Sequence, residues 1–153
     1  MTERTWILTG SPENFDATRA RGFTVIGLKE RNRARALQIA PGDRFVLYLT
    51  KIKRFAGAIR ITGELFESRE HIWPGKPGKV DPYPWRFETE PEVILEEDGW
   101  IQAEDLADEL EHVAKWPREH WTLAFQGQIR PVSGHDAVVL LERLGAAVGH
   151  GVS

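Results

Sequence analysis

The string PGDRFVLYLT at residues 41–50 is the stretch of sequence that decides the predicted fold. Its first three residues favour a turn, and residues 44–50 follow as an almost unbroken apolar run, which is typical of a strand buried on both faces. The run TWILT at residues 5–9 has the same character. Two such strands predict a sheet that other parts of the chain cover on both sides.

Elements on either side of these strands predict an α+β fold. Ser11, Pro12 and Glu13 favour a helix start, because serine caps the first turn, proline suits its first position and an acid faces the positive end of the dipole. Gly22 ends this helix. Strands outnumber helices, which favours a curved, mixed or mostly antiparallel sheet flanked by short helices. Further strands are predicted at residues 23–26, 58–66, 85–94 and 129–132, and helices at 30–38, 102–113 and 135–144. Gly57 and Gly63 are predicted to be points of a bulge or a close approach, residues 67–83 a loop, and residues 149–153 a frayed end.

The composition is that of one globular domain. The 153 residues suit a single hydrophobic core, so residues 1–153 are predicted to form one domain. The chain has no cysteine, which excludes disulfides, thiolate zinc ligands and a cysteine nucleophile, and which favours the reducing cytoplasm. Its first residues do not resemble a signal peptide, and no apolar stretch reaches the length of a membrane span. We therefore expect a cytoplasmic protein with no membrane partner.

The charged residues are unevenly distributed along the chain. Ten lysines and arginines stand against two acids in residues 19–54, whereas eleven acids stand against one arginine in residues 86–112. The net charge of −3 argues against a globally basic nucleic-acid binder, but the basic segment alone would attract a polyanion. The alternative interpretation is that both segments are solvated faces without a binding role.

Aromatic residues are concentrated in one loop, HIWPGKPGKVDPYPWRF at residues 71–87. Trp73, Tyr83 and Trp85 lie there beside Arg86, and flat rings in a polar loop are typical of a site that stacks a planar group such as a base. The alternative is a loop that folds onto the core as a lid. The tryptophans in or beside predicted regular elements are expected in the core, namely Trp6, Trp100 and Trp116.

Familiar catalytic and metal-binding patterns are missing from the sequence. The five histidines lack the spacing of a shared metal site, no serine lies in a nucleophile elbow, and neither a P-loop nor a dinucleotide fingerprint is found. We therefore expect no metal, no cofactor, and a binding module in preference to an enzyme.

Six strings, taken in order, resemble the EVE domain family. They are WILTGSPENF at 6–15, GLKERNRAR at 27–35, PGDRFVLYLT at 41–50, FAGAIRITG at 55–63, DPYPWRF at 81–87 and QIRPVS at 128–133. This family is part of the PUA-like group, which also contains the YTH readers of methylated adenine. The resemblance implies a PUA-like pseudo-barrel of about five or six strands with short helices around it.

The same resemblance implies an aromatic pocket for one modified nucleobase, either flipped from a duplex or presented by a single strand. Thr24 and Val25 stand where YTH readers have a tryptophan and a serine, so a methyl-adenine cage of the YTH form is not expected. The residues implied for base binding are Ser11, Asn14, Asn32, Tyr48, Leu49, Tyr83, Trp85 and Arg86, with Trp73 as a further wall, and those expected to contact phosphates are Arg31, Arg33, Arg35, Lys51 and Lys53.

The favoured hypothesis is a bacterial, monomeric module that recognises a modified base in DNA or RNA. The first alternative is an enzyme that acts on a modified nucleoside or RNA, with Arg86 paired to Asp81 or Glu88. The second alternative is a regulatory domain that binds another protein through the acidic helix predicted at 102–113.

Overall fold

The structure is a computed structural model that describes residues 3–74 and 82–151, the last four of these by their backbone alone. Among the described residues, no helix is long and apolar enough to cross a membrane. The strands are β1 (Thr5–Gly10), β2 (Val25–Leu28), β3 (Arg44–Leu49), β4 (Arg54–Ile61), β5 (Phe66–Glu67), β6 (Trp85–Ile94), β7 (Ile101–Gln102) and β8 (Ile129–Pro131). The helices are α1 (Pro12–Ala20), α2 (Arg33–Ala36), α3 (Glu111–Ala114) and α4 (Gly134–Gly151), with 3-10 helices at Glu30–Asn32, Glu97–Gly99, Ala103–Leu106 and Arg118–Phe125.

The strands of the described chain form one curled sheet. Its main path runs in the order β2-β6-β4-β3-β1-β8, with β5 paired to β6 and β7 paired to β4. β1 and β3 are parallel, and the other pairings are antiparallel. The sheet is a half-barrel with short helices around it, which confirms the predicted α+β pseudo-barrel. β2 and β8 are the two ends of the path, and we name the space between them the seam.

Strand β3 is buried on both faces, as its apolar run predicts. Val46 and Tyr48 belong to a hydrophobic cluster that also contains residues of α3 and α4, named here the α4 cluster. Phe45, Leu47 and Leu49 belong to a second cluster with residues of α1 and α2, named the α1 cluster. Because side chains alternate along a strand, the position of β3 between two clusters accounts for its lack of polar residues.

Strand β6 is continuous through Pro91. The pairing of β4 with β6 shifts between Ala58 and Ile59, where Pro91 lies, and such a bulge tolerates proline because the regular ladder is interrupted there. A Cβ atom at Gly57 would lie 2.3 Å from the carbonyl oxygen of Val93. The close approach predicted at Gly57 is therefore confirmed.

The helix predicted at residues 102–113 is wrong. The chain forms β7, a 3-10 helix and, after an extended Leu110, the four-residue helix α3. The carboxylate of Asp136, which is buried in α4, accepts the backbone N–H groups of Glu111 and His112 at 2.8 Å each. A side chain distant in sequence therefore caps the start of α3, and the helical spacing of the apolar residues does not reveal this contact.

Several further differences from prediction are shifts of element ends. Phe23 has a left-handed φ of 58°, which keeps it out of β2. Residues 152–153 lie outside the described chain, so the predicted fraying is not tested there. Strand β2 begins at Val25, two residues later than predicted, and β4 spans residues 54–61, whereas the prediction is 58–66. Helix α4 continues to Gly151, although the sequence predicts fraying from residue 149.

Asp43 is buried in the turn that precedes β3. Its carboxylate accepts the backbone N–H groups of Arg4 and Ala40 and the indole Nε1–H of Trp6, at 3.0 to 3.1 Å. Three donors satisfy the buried charge and tie the start of β1 to the turn. The parallel pairing of β1 with β3 begins directly after this contact.

Replacing Asp43 with alanine is expected to lower the free energy of unfolding by about 2–4 kcal/mol, because three donors lose their acceptor. Urea unfolding of the variant and the wild type measures the difference. Asp98 is an exposed acid, so Asp98→Ala is the matched control and is expected to change stability by less than about 0.5 kcal/mol. Equal stabilities of the two variants would contradict the role assigned to Asp43.

Candidate functional site

A cavity opens beside the C-terminal ends of β1 and β3, between α1 and β2. Its empty volume is about 480 Å³, including its open mouth. We name it the inner cavity. Its lining is mainly apolar and aromatic with a few polar groups, and consists of Leu8, Thr9, Gly10, Ser11, Asn14, Phe15, Thr18, Ile26, Gly27, Leu47, Tyr48, Leu49, Trp73, Tyr83 and Gln128.

Ser11 and Asn14 line the inner cavity from the start of α1. The hydroxyl of Ser11 accepts the backbone N–H of Asn14 at 3.1 Å, which confirms the predicted helix cap. The side-chain Nδ2 of Asn14 donates to the hydroxyl of Tyr83 at 2.8 Å. Asn14 therefore connects the capped helix to the aromatic loop across the cavity.

Trp73 and Tyr83 form the aromatic wall of the inner cavity. Their ring centroids are 5.6 Å apart and the rings are inclined by 71°, so they meet edge to face. Trp73 is 4% exposed, and its Nε1–H donates to the hydroxyl of Thr18 in α1 at 2.9 Å. Tyr83 is only partly buried. The wall therefore presents one accessible ring, that of Tyr83, supported by one buried ring.

Gly27 of β2 allows the aromatic wall to close onto the sheet. A Cβ atom at this position would lie 2.7 Å from the Trp73 ring and 2.9 Å from both Cβ and the carbonyl oxygen of Tyr83. Real Cβ atoms do not approach other atoms so closely. A side chain at Gly27 would therefore push the wall away from β2.

Arg86 lies behind the aromatic wall and does not line the cavity, which corrects its predicted place in the pocket. The residue is 1% exposed, and its Cζ is 5.1 Å from the centroid of the Trp73 ring. The guanidinium donates to the carbonyl oxygens of Tyr83 and Glu70 and to the hydroxyl of Ser68. Arg86 thus binds both ends of the loop that carries the wall, and its role is to support that wall.

Tyr48 and Leu49 both line the inner cavity, but their side chains lie on opposite faces of β3. The Tyr48 ring stacks on Phe125 of the α4 cluster with centroids 4.4 Å apart, whereas Leu49 belongs to the α1 cluster. Burial raises the pKa of Tyr48 to about 12, so its hydroxyl remains protonated at neutral pH. Leu49 contributes an apolar surface to the cavity floor.

A wider depression adjoins the inner cavity and shares part of its lining. Its empty volume is about 850 Å³, open solvent included, and we name it the outer depression. Lys29 and Arg31 line it, and Lys29 Nζ lies 5.9 Å from the centroid of the Tyr83 ring. Among the described residues, neither lining contains a carboxylate. The mouth of the inner cavity therefore opens onto a positively charged surface.

Gln128 is a site residue that the sequence analysis missed, and it lines both cavities. It directly precedes β8, yet its Oε1 accepts the backbone N–H of Lys29 at 2.9 Å and Nδ2 of Asn32 at 2.8 Å, and its Nε2 donates to the carbonyl oxygen of Gly27 at 3.3 Å. These contacts close the seam between β8 and β2. Only its place in the string QIRPVS could have drawn attention to it.

Asn32 lies outside the lining of the inner cavity, so its contact with a base stays a prediction. Its side chain donates to Gln128 and therefore acts through that residue. The backbone of Asn32 has a φ of −100° between a 3-10 helix and α2. The helix predicted at 30–38 is consequently two short pieces, which end at Ala36.

Trp85 also lies outside the lining of the inner cavity and contacts Glu30 and Arg33 instead. Its Nε1–H donates to the carboxylate of Glu30 at 2.6 Å, and the guanidinium of Arg33 lies 5.1 Å from the centroid of its ring. The predicted wall residue Trp85 is therefore corrected to a partly exposed surface residue.

Arg35 donates to the carbonyl oxygen of Ile129 at 3.2 Å, which is a second side-chain contact across the seam.

The residues predicted to contact phosphates are only partly gathered at the cavities. Arg31 lines the outer depression, but Arg33, Arg35, Lys51 and Lys53 do not. Lys51 Nζ lies 3.9 Å from the carboxylate of Glu13, and both side chains are exposed. The pKa of Glu13 is lowered, first by a hydrogen bond from the helix backbone, and also by Ser11 and Lys51.

The remaining tryptophans divide between core and surface. Trp6 is fully buried in the α1 cluster, and Trp100 packs partly buried against both clusters. Trp116 is 37% exposed, so its predicted place in the core is wrong. Thr24 and Val25 line neither cavity.

Of the two carboxylates proposed to pair with Arg86 in an enzyme, the structure describes Glu88 alone. Glu88 is exposed beside Gly63, and Asp81 lies outside the described residues. A group that could hold a metal ion occurs elsewhere, at Glu111, His135 and Asp136. The hydrogen bond to Asp136 raises the pKa of His135. None of these three residues lines either cavity.

Comparison with known proteins shows the fold. No family model matches the sequence, and no curated protein matches it. The YTH domain of the Zygosaccharomyces rouxii MRB1 protein, solved in complex with N6-methyladenosine RNA, is similar with a TM-score of 0.66 and 13% identity, over 93% of this chain and 86% of that one. A hypothetical protein from Leishmania major has a TM-score of 0.61 and 16% identity, over 95% of this chain and 96% of that one. A Rhodopseudomonas palustris protein solved by NMR has a TM-score of 0.58 and 16% identity, over 94% of each chain.

The likeness to the YTH domain establishes a YTH-like fold for the chain. Membership of the EVE family stays a prediction.

Gly27→Ala is expected to displace the aromatic wall and to lower the free energy of unfolding by about 1–3 kcal/mol. The reason is that the added methyl group would overlap the Trp73 ring and the Cβ and carbonyl oxygen of Tyr83. Chemical unfolding measures the loss, and a crystal structure of the variant would locate the displaced rings. Gly99→Ala is the control, since a Cβ atom there meets nothing within 4 Å. A Gly27→Ala variant as stable as Gly99→Ala would contradict the close packing of the wall.

Proposed function

We propose that the protein reads a modified nucleobase presented by single-stranded RNA. The observation that carries this proposal is the continuity of the two cavities. The inner cavity offers the Tyr83 ring and the Asn14 amide, and it opens directly onto a depression lined by Lys29 and Arg31 without an acid among the described lining residues. A planar, uncharged group attached to an anionic backbone is the ligand that fits both surfaces.

The inner cavity suits a base because of its aromatic wall. Stacking of a base on an aromatic side chain contributes about 1–3 kcal/mol. Since Trp73 and Tyr83 meet edge to face, a base would stack on the accessible Tyr83 ring and touch the edge of Trp73, in contrast to a sandwich between two parallel rings. The Asn14 amide would then contact the polar edge of the base.

The apolar part of the lining supports a preference for a methylated base. Leu8, Leu47 and Leu49 form this part together with Phe15 and Ile26. Burial of one methyl group contributes about 0.8 kcal/mol, which corresponds to roughly a fourfold difference in affinity. We therefore expect discrimination between methylated and unmethylated bases that is measurable and modest, with micromolar affinity for short strands.

RNA is preferred over DNA as the proposed ligand because the similar YTH domain of the MRB1 protein was solved with N6-methyladenosine RNA. A single strand is preferred because extraction of a base from a duplex costs a few kcal/mol. Two lysine or arginine side chains in the outer depression compensate only part of that cost.

Gly10→Val tests the proposed pocket without removing a wall residue. A Cβ atom at Gly10 meets nothing within 4 Å, and Gly10 lines both cavities. By the alternation along β1, its side chain would point to the same face as Leu8. Valine is therefore expected to occupy the mouth of the inner cavity and to weaken binding of ribo-oligonucleotides carrying N6-methyladenosine or 5-methylcytosine by about tenfold or more, which fluorescence anisotropy measures.

The matched control is Gly99→Val, at a second glycine with open space around its Cβ position. Both variants are expected to keep wild-type thermal stability. Unchanged affinity of Gly10→Val across the oligonucleotide panel, or equal affinity of the wild type for modified and plain strands, would contradict the proposal. Conversion of a modified nucleoside by the wild type would point to the enzyme alternative.

Lys29→Gln and Arg31→Gln test the phosphate contacts of the outer depression. Each substitution is expected to weaken oligonucleotide binding and to reduce the salt dependence, with the slope of log K against log salt falling by about 0.7 per lost contact on a single strand. Lys115 is exposed and lines neither cavity, so Lys115→Gln is the control and should leave the slope unchanged. If all three variants retain the wild-type slope, phosphates do not lie in the outer depression.

A further inference from the structure

Gln128 holds its side-chain amide in one orientation at the junction of the two cavities. Its Oε1 accepts two N–H groups, one from the backbone of Lys29 and one from the side chain of Asn32, at 2.9 and 2.8 Å. Rotation of the amide by half a turn would place its NH₂ group against these two donors. The orientation with Oε1 toward Lys29 and Asn32 is therefore the one that the surrounding groups allow.

The hydrogen-bonding capacity left to Gln128 is that of a donor. A carbonyl oxygen has two lone pairs, and both are engaged on Oε1. Nε2 carries two hydrogens, of which one is directed to the carbonyl oxygen of Gly27 at 3.3 Å. Since Gln128 lines both cavities, a ligand that meets its side chain is offered an N–H group and no acceptor.

Asn14, in contrast, is able to accept a hydrogen bond from the ligand. Its Nδ2 donates to the Tyr83 hydroxyl, and the hydrogen bonds among the described residues leave its Oδ1 without a donor. Asn14 and Gln128 approach the inner cavity from α1 and from the seam, respectively. The cavity thus has an acceptor at one side and a fixed donor at the other.

We propose that Gln128 determines the specificity of the inner cavity by donating a hydrogen bond to a ring acceptor of the bound base. The inference rests on the proposed function and adds the edge that is read. Bases with an unsubstituted ring nitrogen facing Gln128 are accepted. Bases that carry a methyl group or a proton at that atom are rejected, because the N–H group of Gln128 then meets no acceptor. Asn32 is a positioning residue that fixes the Gln128 amide.

The test uses free nucleosides, so that phosphate contacts do not contribute. Binding of N6-methyladenosine to the wild type is compared with binding of its 1-deaza, 3-deaza and 7-deaza analogues, in each of which one ring acceptor is replaced by C–H, and with that of 1-methyladenosine. Parallel measurements use 5-methylcytidine and its 3-deaza analogue. One deaza analogue of the preferred nucleoside is expected to bind about tenfold more weakly than its parent.

The protein side of the test uses Gln128→Leu and Gln128→Glu. Both remove the donor, so parent and deaza analogue are expected to bind each variant equally, at about the wild-type affinity for the deaza analogue or below. Glutamate retains an acceptor for Lys29 and Asn32 and so preserves the seam if leucine does not. Gln102→Leu, at an exposed glutamine of β7, is the matched control and is expected to keep the wild-type discrimination.

Two results would overturn the inference while leaving the proposed function intact. In the first, the wild type binds the parent nucleoside and all its deaza analogues alike. In the second, a folded Gln128→Glu variant keeps the wild-type preference for the parent. A wild type that binds neither nucleosides nor oligonucleotides would instead overturn the proposed function itself, and the inference with it.

Discussion

The buried guanidinium of Arg86 is the contact on which the candidate site depends. A cation that is 1% exposed must find acceptors inside the protein, and Arg86 finds them in the backbone of the loop that carries Trp73 and Tyr83. The Trp73 ring covers the same guanidinium. The need to satisfy one buried charge therefore gives the loop a defined path, and Gly27 lets that loop lie directly on the sheet. An aromatic wall that hung on a loop without such a support would lose part of its binding energy in becoming ordered.

The parts of the fold that the sequence predicts are those with local causes. The apolar runs at residues 5–9 and 44–50 form strands, and Ser11 caps the helix that follows it. These elements are predicted correctly because their signals act within a few residues of the chain. Where the helix predicted at 102–113 fails, the short helix α3 starts at a cap supplied by the Asp136 carboxylate, which comes from α4 and is more than twenty residues away in sequence. Helical periodicity carries no information about a cap supplied from such a distance.

The candidate site follows the same division. Ser11, Asn14 and the Trp73–Tyr83 pair were predicted and do line the inner cavity, since polar residues after a buried strand and rings in one loop are visible in the sequence. In the sequence, Arg86 stands beside aromatic residues and resembles a cation that binds a ligand. Its burial in the structure shows that it supports the aromatic wall instead. Gln128 is an ordinary glutamine before a short strand, and its importance arises from three partners that lie about a hundred residues earlier.

The closure of the seam by side chains has a consequence for the behaviour of the protein in concentrated solution. A half-barrel ends in two strands whose free backbone groups are able to pair with strands of other molecules. Here the side-chain amide of Gln128 bonds the carbonyl oxygen of Gly27 in β2 and the N–H group of Lys29 directly after it. The guanidinium of Arg35 bonds the carbonyl oxygen of Ile129 in β8. The hydrogen bonds that shape the site therefore also shield both ends of the sheet from strand pairing between molecules. The residues of the seam thus contribute to solubility as well as to binding.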